Sequence, residues 1–358
     1  MGGFAYAGTL GRLKVLVPEF LRKEAYVALV AAKDPLEITK VLETFGYLPE
    51  LAAVAASYQG IQRLEVAINR KFVKRCRQAL DAAPYAGKPM VAAYLRRWDL
   101  QNIGLILSAK AQGRPLTETE TFLVSSREIP AGLFAGAMTL DDFRQLLGQT
   151  TVEGVAQQAV RYGYGAVLLP RLEAYQRTQD IFPLLQALDV EYYRMLFESI
   201  RHFQGDEWNV RSFAQSEVDV RNVLLLLKGK ESQMAVESVL ERFIDLGTFP
   251  KSAAGDLYGA RGVPELVEAL TPRFPTLPEG NGLYQEIKSL TAYEAALQRA
   301  RAIRELQRLR SYPLSSAILF SFLLQAELER TDLRRVIYGK QYGLTDQQLS
   351  DELVVPRI

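Results

Sequence analysis

A short polar motif returns at long range in this chain, and its spacing restricts the fold. An acid, an amide or second acid three positions on, and a lysine eleven positions on occur together at Asp99, Asn102 and Lys110. They recur at Asp219, Asn222 and Lys230, and again at Glu329, Asp332 and Lys340. The copies stand 120 and then 110 residues apart. An aliphatic residue follows each acid by eight positions, at Leu107, Leu227 and Ile337. On a helix these offsets fall close to one face. The interval is far too long for solenoid repeats, whose units run from about 33 to 47 residues, and long enough for each unit to be a small helical domain. It predicts three similar helical bundles in series, over residues 1–115, 116–235 and 236–358, which can close into a pseudo-threefold funnel or ring.

Hydrophobic periodicity points to helix almost throughout. From Tyr58 to Leu80, Ile61, Leu64, Ile68, Phe72, Val73 and Cys76 recur at three- and four-residue steps with charged residues between them. Similar stripes run through Gln186–Phe203 and Leu283–Arg310. Period-two alternation is hard to find, and the one Asn-Gly pair, Asn281-Gly282, precedes a helical pattern rather than joining two strands. The predicted class is all-α. Asp34, Pro35 and Glu37 read as an N-cap, a first-turn proline and the third residue of a capping box. Gly46, Gly113, Gly148, Gly205 and Gly343 read as helix stops, and the middle copy of the motif has Gln233 where the others have Gly113 and Gly343. The proline- and glycine-rich stretch from Gly247 to Gly282 predicts short helices and turns.

Counting residues excludes much chemistry. With one cysteine, Cys76, and one histidine, His202, no Cys/His metal site or nucleophile pair can form without that single imidazole. Cys76 reads as an unpaired thiol of a reducing compartment. Asp141-Asp142-Phe143-Arg144 lacks the third acid of a magnesium-binding Asp-Asp-x-x-Asp motif, and no Gly-x-x-x-x-Gly-Lys-Ser/Thr phosphate loop is present. No catalysis, cofactor or metal is expected. Forty-three basic residues against 41 acidic ones leave a net charge of +2, too little for a general polyanion binder. The amino terminus lacks the pattern of a secretory signal, and the longest apolar runs fall short of the roughly 18 to 20 residues that cross a bilayer, so a cytoplasmic protein, at most peripheral to a membrane, is expected.

A carboxylate on an apolar stripe, such as Asp99 between Leu95 and Ile103, needs hydrogen-bond donors or costs several kcal/mol in desolvation. The motif acids and amides are therefore expected to hold a neighbouring helix or loop, with direct partner contact as the alternative. Arg299, Arg301, Arg304 and Arg308 form the most lopsided charge run. They read either as a basic interface or as a solvated face partly balanced by Glu294 and Glu305. Trp98 and Trp208 are expected in the core or at helix junctions.

Three segments carry a resemblance. Tyr94-Leu-Arg-Arg-Trp-Asp-Leu-Gln-Asn-Ile-Gly-Leu-Ile-Leu-Ser-Ala-Lys110, Val218-Asp-Val-Arg-Asn-Val-Leu-Leu-Leu-Leu-Lys-Gly-Lys230 and Leu333-Arg-Arg-Val-Ile-Tyr-Gly-Lys-Gln-Tyr-Gly-Leu344 resemble the signature segments of the C subunit of archaeal and bacterial A/V-type rotary ATPases, the family that includes the V-ATPase d subunit. Tyr6-Ala-Gly-Thr-Leu-Gly-Arg12 is similar to that family's opening helix, without its usual second arginine. The resemblance spans the chain. It implies a non-catalytic adaptor on the cytoplasmic face of the membrane, a monomer when isolated, that seats the D- and F-type shaft subunits on the proteolipid ring and passes torque between them. A helical-repeat scaffold or an RNA-binding protein using the arginine-rich helix is the competing reading.

Overall fold

A computed structural model of the chain describes residues 2–113, 133–201, 207–259, 262–270 and 289–357. The described chain opens with α1 (Gly2–Leu16), α2 (Lys23–Ala31), α3 (Pro35–Leu42) and α4 (Leu48–Val54). Asp34 caps α3 by accepting from the Glu37 N–H, while the Glu37 carboxylate accepts from the Lys33 N–H, one residue earlier than a strict capping box requires. Gly46, at φ 90°, makes the kink between α3 and α4 in a backbone region that glycine enters without penalty.

The body is built from long helices that double back. The first is α5 (Gly60–Ala82), followed by α6 (Lys88–Leu95) and the motif helix α7 (Arg97–Ala111). Three shorter helices follow, α8 (Leu140–Leu147), α9 (Val152–Gln158) and α10 (Gly165–Thr178). Next come α11 (Phe182–Arg201) and the second motif helix, α12 (Trp208–Glu231), then α13 (Val236–Glu241), α14 (Lys251–Tyr258) and α15 (Val263–Leu270). The last pair is α16 (Leu290–Arg310) and the third motif helix, α17 (Ala317–Gln341), followed by α18 (Asp346–Glu352). No strand occurs among the described residues. Of the expected helical stripes, residues 202–203 and 283–288 lie outside them, as do His202, Gly205 and Asn281-Gly282.

Burial follows the periodicity. Leu64, Ile68, Phe72 and Cys76 line the covered face of α5, whereas α12 and α17 are buried on most sides and carry polar residues such as Asp219, Asn222, Glu329 and Asp332 into the core with their apolar ones. α5 packs on α6, which packs on α7, and α11 packs on α12 and α16 on α17; each motif helix also packs on the leading helix of another pair: α7 on α11, α12 on α16, and α17 back on α5. The cycle of contacts is closed. The apolar clusters run across residues 115 and 235. One joins α2, α3 and α4 to Leu333, Val336, Ile337 and Leu349 near the other end of the chain. Another joins α12 to α13, α14, α15 and the start of α16.

The three motif helices end alike. Gly113 (φ 62°), Gln233 (φ 53°) and Gly343 (φ 75°) each take the left-handed conformation three residues past the motif lysine and donate to its carbonyl. Gln233 thus stops its helix without the glycine, at a steric cost glycine would avoid. Gly148 departs from expectation: its φ of −64° is right-handed, so α8 ends without a left-handed residue.

Candidate functional site

The motif residues face inward and tie each motif helix to later chain. Asp99 is wholly buried and accepts hydrogen bonds from the backbone N–H groups of Ala137 (2.7 Å) and Met138 (3.3 Å), while Asn102 donates to the Leu133 carbonyl (3.2 Å). Asp219, equally buried, accepts from the Thr248 N–H (2.8 Å) and hydroxyl (2.6 Å). Asn222 donates to the Ile244 carbonyl (2.8 Å) and accepts from its N–H (3.0 Å). Gly136 and Gly247 precede the donor residues, and a β-carbon on either would overlap the carboxylate. Lys110 and Lys230 donate to the carbonyls of Leu147 (2.8 Å) and Tyr258 (2.7 Å), the last residues of α8 and α14, where helix dipoles favour a cation. Burial pushes the Asp99 carboxyl up to about 6 against the pull of its two N–H donors, and burial raises Asp219 and Asp332 as well.

The third copy is wired differently. Asp332 accepts from Val354 (2.8 Å) and Val355 (2.7 Å) and pairs with Arg335 (2.9 Å). Lys340 bonds the Asp346 carboxylate (2.6 Å). Glu329 turns to the other end of the chain, where it accepts from the Leu21 N–H (2.7 Å), the Tyr47 hydroxyl (2.6 Å) and Arg75 (2.5 Å). Here α17 is clasped to α5.

Two positions before each motif acid stand Arg97, Glu217 and Glu327, and these three side chains meet. Arg97 bonds Glu217 and reaches Glu327 at 3.2 Å. The Tyr94 hydroxyl donates to Glu327 (2.9 Å) and the Tyr193 hydroxyl to Glu217 (3.0 Å). Next to them the rings of Tyr94, Phe213 and Phe320 form a mutual cluster with centroids 5.3 to 6.0 Å apart. Burial alone would raise the Glu217 carboxyl, but Arg97 and Arg301 hold it below the usual range. Beside this cluster lies a cavity of about 620 Å³ between α11, α12 and α16, with Arg97 and Glu327 on its wall. Arg97, Glu217 and Glu327 obey the same 120 and 110 residue intervals as the motif, but the reversal of charge hid them in the sequence.

The family model for the ATP synthase (C/AC39) subunit matches residues 9–352. The chain belongs to this family. It is 32% identical over 349 residues to the C subunit of the A-type ATP synthase of Thermoplasma volcanium, covering 98% of each chain. Against the corresponding A-type ATP synthase protein of Thermoplasma acidophilum the identity is 31%, again over 98% of each. The same protein of Halorubrum lacusprofundi is 26% identical, with 90% of this chain and 89% of that one covered.

In this C/AC39 chain the arginine-rich helix does not present one basic face. Arg299 donates to the Asp351 carbonyl (2.5 Å), Arg301 turns inward to within 4.0 Å of Glu217, Arg304 is exposed, and Arg308 is held by Glu305 (2.6 Å) and the Asn209 carbonyl (2.9 Å). Glu294 pairs instead with Lys228, at 2.6 Å. Trp98 is buried edge-on against Phe72, as expected. Trp208 takes the other expected place, a helix junction: at the start of α12 it is 52% exposed and stacked edge-on with Tyr312 of the loop between α16 and α17. Tyr85 and Leu314, in the loops that precede α6 and α17, are exposed as well. Burial raises the Cys76 thiol strongly, which leaves it unreactive. No helix among the described residues is long and apolar enough to cross a membrane.

Proposed function

We propose that this chain is the central-stalk adaptor of an A/V-type rotary ATPase. It catalyses nothing itself. It seats the D- and F-type shaft subunits on the proteolipid ring at the cytoplasmic face of the membrane and carries torque between them. The observation that supports the reading most directly is the closed cycle of three motif-helix pairs with a charged cluster where they converge and a polar cavity beside it. Close-packed helices in a closed cycle resist twisting, as a torque-bearing part must. Polar walls suit a socket whose contacts set orientation more than raw affinity.

In this reading the chain is a pseudo-threefold body of three units, related by the intervals of the motif. The exposed aromatic end, with Tyr85, Trp208, Tyr312 and Leu314, faces the ring. The cavity faces the shaft, since its lining reaches Lys228, about 30 Å along α12 from Trp208 at roughly 1.5 Å per residue. The RNA-binding alternative has no comparable support, because the arginine run is divided among separate partners. Purified chain should co-purify with the two shaft subunits and bind detergent-solubilised proteolipid ring. Absence of association with either at micromolar concentration would overturn the proposal, as would ATP turnover by the isolated chain above background.

A further inference from the structure

The three helix pairs are related by sequence interval but do not leave equivalent seams. At the position two before the motif acid the side chains are Arg97, Glu217 and Glu327, and two after it they are Gln101, Arg221 and Thr331. Between α17 and α5 the seam is filled: Arg75 meets Glu329, Arg330 bonds Asn69 (2.7 Å) and Arg334 meets Glu65 (3.0 Å). Between α12 and α16 lies the cavity of about 620 Å³. That volume is ample for a side chain with its flanking backbone.

The charges around this cavity are unevenly matched. Arg97 is held by Glu217 and Glu327, Arg221 by Asp189, and Lys228 by Glu294. Two guanidinium groups on the lining retain donors. Arg301, with only 15% of its side chain exposed, stands 4.0 Å from Glu217, and its buried Nη1 has no hydrogen-bond partner. Arg242 lies over the Phe182 ring (3.9 Å) and contacts the Met234 sulfur (3.8 Å), with no carboxylate partner among the described residues. A buried donor left unmatched costs free energy that a charged acceptor would recover. Guanidinium groups match carboxylates in bidentate geometry.

We propose that this cavity receives an acidic side chain of the shaft, its carboxylate bonded by Arg301 and Arg242. The inference rests on the adaptor reading above. Because the seam between α17 and α5 is filled, a shaft bearing one such acid meets a seat that is not threefold equivalent.

The test uses the full chain and the purified complex of the two shaft subunits, with affinity measured by calorimetry at two salt concentrations. Arg301→Gln and Arg242→Gln are each expected to weaken binding at least tenfold and to flatten its salt dependence. Arg301→Lys should recover part of the loss, melting should stay as in the wild type, and Arg144→Gln, far from the cavity and paired with Asp141, should bind normally. Wild-type binding with both glutamine variants within twofold of it would overturn the acidic-key proposal alone. If Arg301→Gln melts early, Arg242→Gln decides. A wild-type chain that fails to bind the shaft at all would overturn both this proposal and the adaptor reading.

Discussion

The seam between α17 and α5 and the seam between α12 and α16 bring arginine and glutamate together in opposite ways. At the first, Glu329 is fully buried and meets a backbone N–H, a tyrosine hydroxyl and a guanidinium, so its acceptor capacity is used within the fold. At the second, Glu217 shares Arg97 with Glu327, keeps Arg301 at 4.0 Å and borders open volume. The same residue types therefore serve two ends. A network closed on itself fixes the shape of the cycle, while one with donors to spare is prepared for a partner.

The largest expected effect breaks this comparison if it fails. Glu329→Ala leaves Arg75 buried without its carboxylate and should lower stability by about 3 to 5 kcal/mol in denaturant unfolding. Glu217→Gln, which keeps the side-chain shape beside a cavity that water can enter, should cost clearly less. Equal losses would mean that the two seams are alike.

A smaller effect sharpens the comparison through its sign with pH. The Asp99 carboxyl is raised by burial to about 6, above its ordinary value, so in the folded state it takes up a proton before the unfolded chain does. Its contribution to stability is present at low pH and is lost as pH rises from about 4 through about 6, by an amount on the order of 3 kcal/mol. Glu217, held low by Arg97 and Arg301, runs the other way: its contribution is present above its unfolded value and is lost on acidification. Thermal melts of wild type, Asp99→Asn and Glu217→Gln between pH 2 and 7 should therefore diverge in opposite directions, Asp99→Asn gaining on wild type as pH rises from about 4 to about 6 and Glu217→Gln gaining on it as pH falls below about 4.5. Parallel curves would contradict the assignment.

The smallest effect concerns the ends of the motif helices. Gln233 occupies a left-handed position that glycine fills in the other two copies. Gln233→Gly should stabilise by about 0.5 to 1 kcal/mol, the relief of strain exceeding the added freedom of the unfolded chain. A loss of stability would show that the glutamine side chain makes up for its backbone.

Much of the fold was legible because helices declare themselves locally. The stripe Leu64, Ile68, Phe72 and Cys76 gave α5 to within two residues at each end, and Asp34 gave the start of α3. The motif acids were legible as buried anchors, since a carboxylate on an apolar stripe has to find donors. The donors were not legible: Ala137, Thr248 and Leu21 lie 38, 29 and 308 residues away from the acids they meet, in loops without a pattern of their own. Of the two places expected for Trp208, core or helix junction, only the tertiary structure chose the junction, at the exposed start of α12.

The sequence by itself determined the all-helical class, the three motif helices and the glycine stops of the first and third, because these depend on residue type and on spacings of a few residues. Tertiary structure alone decided that α17 returns to α5, that Glu329 serves a different neighbour from Asp99 and Asp219, and that Arg97, Glu217 and Glu327 meet. Those contacts join positions more than 100 residues apart, and closing such distances is settled by which buried faces fit and which buried charges find partners.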